Sequence, residues 1–188
     1  MVDLAMHMMD IVQNSIRANA TKIEIDFLED SQNATLTFSV KDNGSGMTSV
    51  TIEKLEDPFF TTRTTRRVGL GVPFLKMSSE QTGGSLKIQS DLGTGTEIEA
   101  VYKTDNPDCL PLGDLSGYLV LLLIGNPEIH FSFRYRIDEY EFSLDTQELA
   151  EQGITELSNN EMASAVKEYI NENLKEIYAN RKTESYLC

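Results

Sequence analysis

Two oxygen-bearing side chains stand one helical turn apart near the start of the chain. In Asp10-Ile11-Val12-Gln13-Asn14-Ser15, Asp10 and Asn14 are at i and i+4 and share one face of a helix. A carboxylate beside an amide carbonyl suits a hard cation such as Mg2+, which takes oxygen ligands and keeps several waters. The same pair also reads as a solvated helix face. Asp42-Asn43-Gly44-Ser45-Gly46-Met47 places two glycines within three positions, which permits unusual dihedrals and close approach of a ligand to the backbone, or simply a turn. From Asp57 through Pro58, Phe59, Phe60, Thr61, Thr62 and Arg63 to Thr64, Thr65, Arg66 and Arg67, three arginines fall within five residues beside a run of hydroxyls. Such a basic island suits phosphate oxygens. Gly69-Leu70-Gly71 then opens a helical pattern, and backbone amides at a helix N-terminus bind anions without any side chain.

These residues need elements to hold them. Residues 3–18 read as an amphipathic helix, with Leu4, Met8, Ile11, Val12 and Ile16 at helical spacing. Alternation over 22–28 and 34–40 predicts two strands joined by a turn, and the Asp42 segment follows the second. A short helix is expected at 48–55, a Thr- and Arg-rich loop at 56–69, and a helix from Gly71-Val72-Pro73 to Gly83-Gly84. Strands at 85–90 and 96–103 flank Asp91-Leu92-Gly93-Thr94-Gly95. Residues 104–111, with two prolines, mark a boundary. Beyond it the pattern gives a helix at 113–124, a hairpin from 128–137 to 139–144, and helices at 145–152 and 159–179.

Four separated segments, in this order and on these elements, resemble the sequence boxes of the GHKL ATPase superfamily, the nucleotide-binding domains of gyrase B-type, heat-shock-chaperone, histidine-kinase and MutL proteins. The resemblance covers about residues 3–103. It implies a Bergerat-type two-layer α/β sandwich, an α+β fold with helices on one face of a mixed, largely antiparallel sheet; the elements read beyond residue 111 add a smaller α+β unit at the C-terminal end. It also implies ATP and Mg2+ as ligands. By the resemblance, Asn14 holds Mg2+ on the phosphates and Asp10 orients or deprotonates the attacking group. Asp42 accepts from the exocyclic amine of adenine, in the loop containing Gly44 and Gly46, and Thr96 of Gly93-Thr94-Gly95-Thr96 supports Asp42 through a water. Phe60, Thr61, Thr62, Arg63 and Arg67 belong to the ATP lid, and Gly69, Leu70 and Gly71 lie on the phosphates.

This sequence departs from the family pattern at two of these places. Most hydrolysing members carry Glu at the Asp10 position, and Asp is one methylene shorter, which shortens the reach of a base. Arg67 stands where a first Gly is common. The lid is short, 22 residues between Gly46 and Gly69, a length closer to histidine kinases and anti-sigma factor kinases than to gyrase or MutL.

Charge sorts the remaining options. The 188 residues carry a formal net charge of -14, against the clustered Lys and Arg that a nucleic-acid surface requires. Residues 1–104 hold 10 basic and 14 acidic side chains, whereas 105–188 hold 6 and 16. The boundary and the uneven charge divide the chain in two: the resemblance implies an ATP-binding domain in residues 1–104, and 105–188 are expected to be an acidic unit for binding a protein partner or for dimerisation. Met1 to Met6 lacks a basic leader region, the apolar run 118–124 is too short to span a membrane, and Cys109 and Cys188 have no metal-type spacing. A cytoplasmic protein is expected. His7 and His130 are assigned to packing or polar-face duty, and 118–124 to the core of the second unit. The leading function is an ATP- and Mg2+-dependent regulatory protein, a protein kinase or slow ATPase without its own phosphoacceptor histidine domain. A non-catalytic ATP-sensing module is the alternative, and a MutL- or gyrase-like ATPase a third reading.

Overall fold

The computed structural model describes residues 3–55, 71–154 and 159–181. Asp3 starts the first helix: its carboxylate accepts the N–H of Met6 at 2.8 Å, satisfying one of the donors that a helix leaves open at its N-terminus. Helix α1 (Leu4–Arg17) buries Leu4, Met8, Ile11, Val12 and Ser15 along one stripe. It stops where Asn19 takes a positive φ of 57°, the usual way for a chain to leave a helix. Strands β1 (Lys22–Asp30) and β2 (Thr35–Asp42) form an antiparallel hairpin. Its turn is held by Asp30 Oδ1, which accepts the N–H groups of Gln32 and Asn33. Helices α2 (Ser49–Leu55) and α3 (Gly71–Gln81) and strands β3 (Ser85–Asp91) and β4 (Gly95–Lys103) follow.

The connector 104–114 returns to the beginning of the chain. The carbonyls of Pro111 and Leu112 accept the N–H groups of Leu4 and Ala5, each at 2.9 Å. Then come α4 (Leu115–Gly125), β5 (His130–Ile137), β6 (Tyr140–Asp145), α5 (Thr146–Glu151) and α6 (Asn160–Tyr178). The six strands make one sheet in the order β3-β4-β2-β1-β5-β6. Strand β5 runs parallel to β1, from Lys22 opposite His130 to Glu29 opposite Ile137, and every other pairing is antiparallel.

Period-two alternation gives this sheet two unlike faces. Ile23, Ile25, Phe27, Leu36, Phe38, Val40, Ile98, Ala100, Tyr102, Phe131, Phe133, Tyr135 and Ile137 are buried in a single apolar cluster with residues of α1, α3, α4 and α6. Phe27 stacks between Phe38 and Tyr135, at centroid distances of 4.8 and 5.5 Å. The opposite face is polar and carries cross-strand ion pairs such as Arg134–Asp26 at 2.5 Å. This is the expected α+β sandwich, with helices on one face of a mostly antiparallel sheet.

One charged group lies within the apolar side. Glu29 at the end of β1 is buried, accepts the Tyr135 hydroxyl, and pairs with Arg181 through Nη2 at 2.6 Å and Nε at 2.9 Å. Burial opposes the guanidinium charge, but the Glu29 carboxylate holds Arg181 firmly protonated. The guanidinium also covers the Tyr178 ring at 4.5 Å. The chain just after α6 is thereby fastened to β1.

Candidate functional site

Strand β2 ends on Asp42, whose side chain points to the helical side and is 9% exposed. Burying a carboxylate requires hydrogen-bond donors. Among the described residues two are present: the Ser15 hydroxyl donates to Oδ2 at 2.6 Å and the Gly44 N–H to Oδ1 at 2.8 Å. A carboxylate has about four acceptor positions, so Asp42 keeps capacity for a further donor. Ser15 was not among the residues singled out by sequence. Its signal was a hydroxyl on the apolar stripe of α1, where a polar side chain needs a buried partner.

The loop after Asp42 is fixed on two sides. Asn43 Oδ1 accepts the N–H groups of Thr21 and Lys22, each at 2.9 Å, and Ser45 N–H donates to Ala18 O at 2.8 Å. These bonds tie the loop to the end of α1 and the start of β1. On the other side Gly46 has a φ of +64°, and a Cβ there would stand 1.9 Å from the Asp91 carbonyl oxygen. Only glycine fits this approach. Ser90, also unmarked by sequence, joins the loop to β4: its hydroxyl accepts Met47 N–H at 2.8 Å, donates to Gly95 O at 2.9 Å, and lies 2.9 Å from Thr96 Oγ1. Thr96 is the cross-strand partner of Asp42. The structure therefore brings Asp42, Gly44, Gly46 and Thr96 together at one end of the sheet.

Asp10 and Asn14 lie on α1, half-buried on the flank of its apolar stripe. Asp10 meets the start of α3: a Cβ at Gly71 would be 2.1 Å from Asp10 Oδ2 and 3.0 Å from its Cγ. Gly71 is the first residue of α3, so the carboxylate sits in the positive field of that helix N-terminus. Asn14 Oδ1 accepts from Arg17 Nη1 at 2.9 Å. The oxygens of Asp10 and Asn14 are hard donors of the kind that Mg2+ takes.

A buried polar column sets the packing of α1 on α3. His7, 1% exposed, has Nε2 3.5 Å from Ser78 Oγ, and Ser78 bonds the Tyr102 hydroxyl at 2.9 Å. His7 Nδ1 is buried without a partner among the described residues. Burial pushes its pKa down to about 4, so the ring is neutral near pH 7. His130 instead pairs with Asp145, 2.8 Å from Oδ2, on the polar side of the sheet. The apolar stretch 118–124 contributes Leu119, Val120, Leu122 and Leu123 to the common core and leaves Leu121 exposed.

Phe60, Thr61, Thr62, Arg63, Arg67, Gly69 and Leu70 lie outside the described residues. No helix among the described residues is long and apolar enough to cross a membrane.

Comparison with known proteins gives a consistent pattern. Residues 2–106 match the family described as histidine kinase-, DNA gyrase B-, and HSP90-like ATPase. A putative sensor protein of Shewanella frigidimarina (strain NCIMB 400) is 33% identical over 103 residues, 54% of this chain and 16% of that protein. Sensor kinase CckA of Brucella abortus (strain 2308) is 33% identical over 104 residues, 47% of this chain and 11% of that protein. The chain thus spans less than a fifth of the length of these curated relatives. Among solved structures, the Aquifex aeolicus MutL ATPase domain complexed with ADP aligns with TM-score 0.50 at 19% identity, covering 82% of this chain and 68% of that one. The N-terminal domain of a DNA repair protein aligns with TM-score 0.52 at 19% identity, covering 77% and 53%. At these identities the two structures share the fold.

Proposed function

This chain belongs to the histidine kinase-, DNA gyrase B-, and HSP90-like ATPase family, and from that membership we propose that it is a regulatory protein that binds ATP with Mg2+ and acts as a protein kinase or slow ATPase in cytoplasmic signalling. The observation that carries this reading is Asp42, buried at the end of β2, held by Ser15 and Gly44, and still able to accept one more donor. The exocyclic amine of adenine is such a donor. A base that presents a carbonyl in its place would face a buried carboxylate without a proton between them, so ATP is preferred over GTP.

In this reading Gly44 and Gly46 shape the base-binding loop and Thr96 supports Asp42. Gly69, Leu70 and Gly71 meet the phosphates at the start of α3, and Phe60, Thr61, Thr62, Arg63 and Arg67 form the lid over them. Asn14 turns its carbonyl from Arg17 toward the cation. Bound Mg2+ would neutralise phosphate charge as it develops. Asp10, beside Gly71, orients or deprotonates the group that attacks the terminal phosphate. Residues 105–188 carry the surface for a protein partner or a second copy.

The shorter reach of Asp10 favours one alternative, an ATP-sensing module without turnover. The deciding experiment compares wild type with Asp10→Ala for ATP binding by calorimetry and for phosphate release. The enzyme reading expects equal binding and a loss of release in the variant. Equal and negligible release from both proteins, with ATP bound, would remove the slow ATPase; labelled ATP incubated with cell extract, with label on no protein, would then leave only the sensing module. A duplex-DNA function would require salt-sensitive DNA binding, which the charge of -14 opposes.

A further inference from the structure

At the β6 end of the sheet a cavity of about 340 Å³ lies between β6, α5 and α6. Ser143, Leu144 and Asp145 border it in succession. Leu144 is buried on the helical side and Ser143 is exposed, so the lining passes from the covered face to the outer edge of β6, the last strand of the sheet. Among the described residues no strand pairs with that edge. Alternate residues of β6 therefore direct N–H and C=O groups outward, as a template for an added strand.

The lining of the cavity is selective. Leu144, Leu149, Ile154 and Val166 give it an apolar interior, and the side chains of Met162 and Tyr169, 37% and 50% exposed, stand at its mouth. Its surroundings are acidic. Glu148 borders the cavity and Glu161, Glu168 and Glu172 are exposed along α6, whereas Glu141 on the edge strand lies opposite Arg136 of β5. Of the two lysines on α6, Lys167 is paired with Asp114 at 2.9 Å. The excess of negative charge in residues 105–188 is thus present around an apolar cleft at an open strand edge.

We infer that this cleft docks an extended segment of a partner protein in which apolar and basic residues alternate. The segment adds to β6 through backbone hydrogen bonds, places an apolar side chain in the cavity, and sets Lys or Arg against Glu148 and the glutamates of α6. A second copy of this chain is a poor occupant, because its own β6 edge would bring like charges face to face. The inference rests on the reading of residues 105–188 as the partner-facing part and gives that partner its chemistry.

The test is selection of phage-displayed random dodecapeptides on the full chain at low salt. Fluorescent copies of the enriched peptides are then measured by anisotropy on wild type, Glu148→Lys and Ser143→Pro. Peptides with alternating Lys or Arg and aliphatic or aromatic residues are expected. Glu148→Lys should weaken them roughly 5-fold or more and flatten their salt dependence. Ser143→Pro, which removes an edge donor at a position where Pro is tolerated, should abolish binding while ATP affinity is retained. If Ser143→Pro does not fold, the exposed Glu148→Lys carries the test alone. Enrichment of nothing, or of peptides indifferent to Glu148→Lys, overturns the inference. Hydrogen-exchange mapping of the bound peptide separates the two readings. Protection elsewhere in 105–188 removes the cleft but keeps the partner-facing part, and protection confined to residues 3–104 removes both.

Discussion

The carboxylate of Asp10 on α1 lies directly against Gly71, the first residue of α3, with room for a hydrogen and none for a methyl group. Two residues 61 positions apart in sequence thus share one point, where an acid meets the N-terminus of a helix. That contact couples the position of a candidate base to the position of candidate phosphate-binding amides.

Gly71→Ala should disturb the chemistry more than the fold. An added Cβ would stand 2.1 Å from Asp10 Oδ2, and the carboxylate can rotate away more readily than the helices can separate. ATP turnover is expected to fall by about 100-fold, with ATP affinity and melting temperature little changed. Phosphate-release kinetics beside calorimetry check this, and unchanged turnover would show that the contact is only packing.

Asp42→Asn should weaken ATP binding by ~10- to 100-fold, the value of a charge-assisted hydrogen bond of about 1.5–3 kcal/mol. Ser15→Ala removes the donor that holds Asp42 Oδ2 and should cost less, about 5-fold. Titration calorimetry with ATP and GTP reads both. Wild-type affinity in Asp42→Asn would remove the adenine assignment.

Asn14→Ala is expected to lower ATP affinity roughly 10-fold in Mg2+ and not at all in EDTA. A loss of the same size in both buffers would contradict a role for Asn14 in holding the cation.

Acid should destabilise the fold through His7. The folded-state value of about 4 lies below the ordinary 6.5, so the unfolded chain binds the proton more readily. Stability is full above about pH 6.5 and falls as pH drops toward 4, by on the order of 3 kcal/mol. His7→Gln keeps a polar side chain beside Ser78 without titrating there. Its urea midpoint should vary less than the wild-type midpoint between pH 7 and 4, and parallel curves would refute the assignment.

Arg181→Ala leaves Glu29 as a buried carboxylate without its counter-charge, at a cost of about 3–5 kcal/mol. Glu29→Gln combined with Arg181→Met should cost less than Arg181→Ala alone. Equilibrium urea unfolding of the two variants beside wild type decides it.

The amino-acid sequence by itself determined the local elements and the segments on which the candidate site residues stand. Leu4, Met8, Ile11 and Val12 mark α1, Phe27 and Phe38 fall in strands of strict alternation, and Asp42-Asn43-Gly44-Ser45-Gly46 marks the loop after β2. Such features are legible because a helix or strand imposes its period on neighbours a few residues apart. Strand ends were less legible: β2 continues through Lys41 to Asp42, because cross-strand pairing with β1 and β4 carries it past the apolar alternation. Tertiary structure alone decided that β5 lies parallel to β1, that Asp10 meets Gly71, that Ser90 joins Met47 to Thr96, and that Arg181 reaches Glu29. None of these contacts leaves a periodic trace. Each depends on how a whole sheet face is covered by helices, and that covering fixes which distant residues meet.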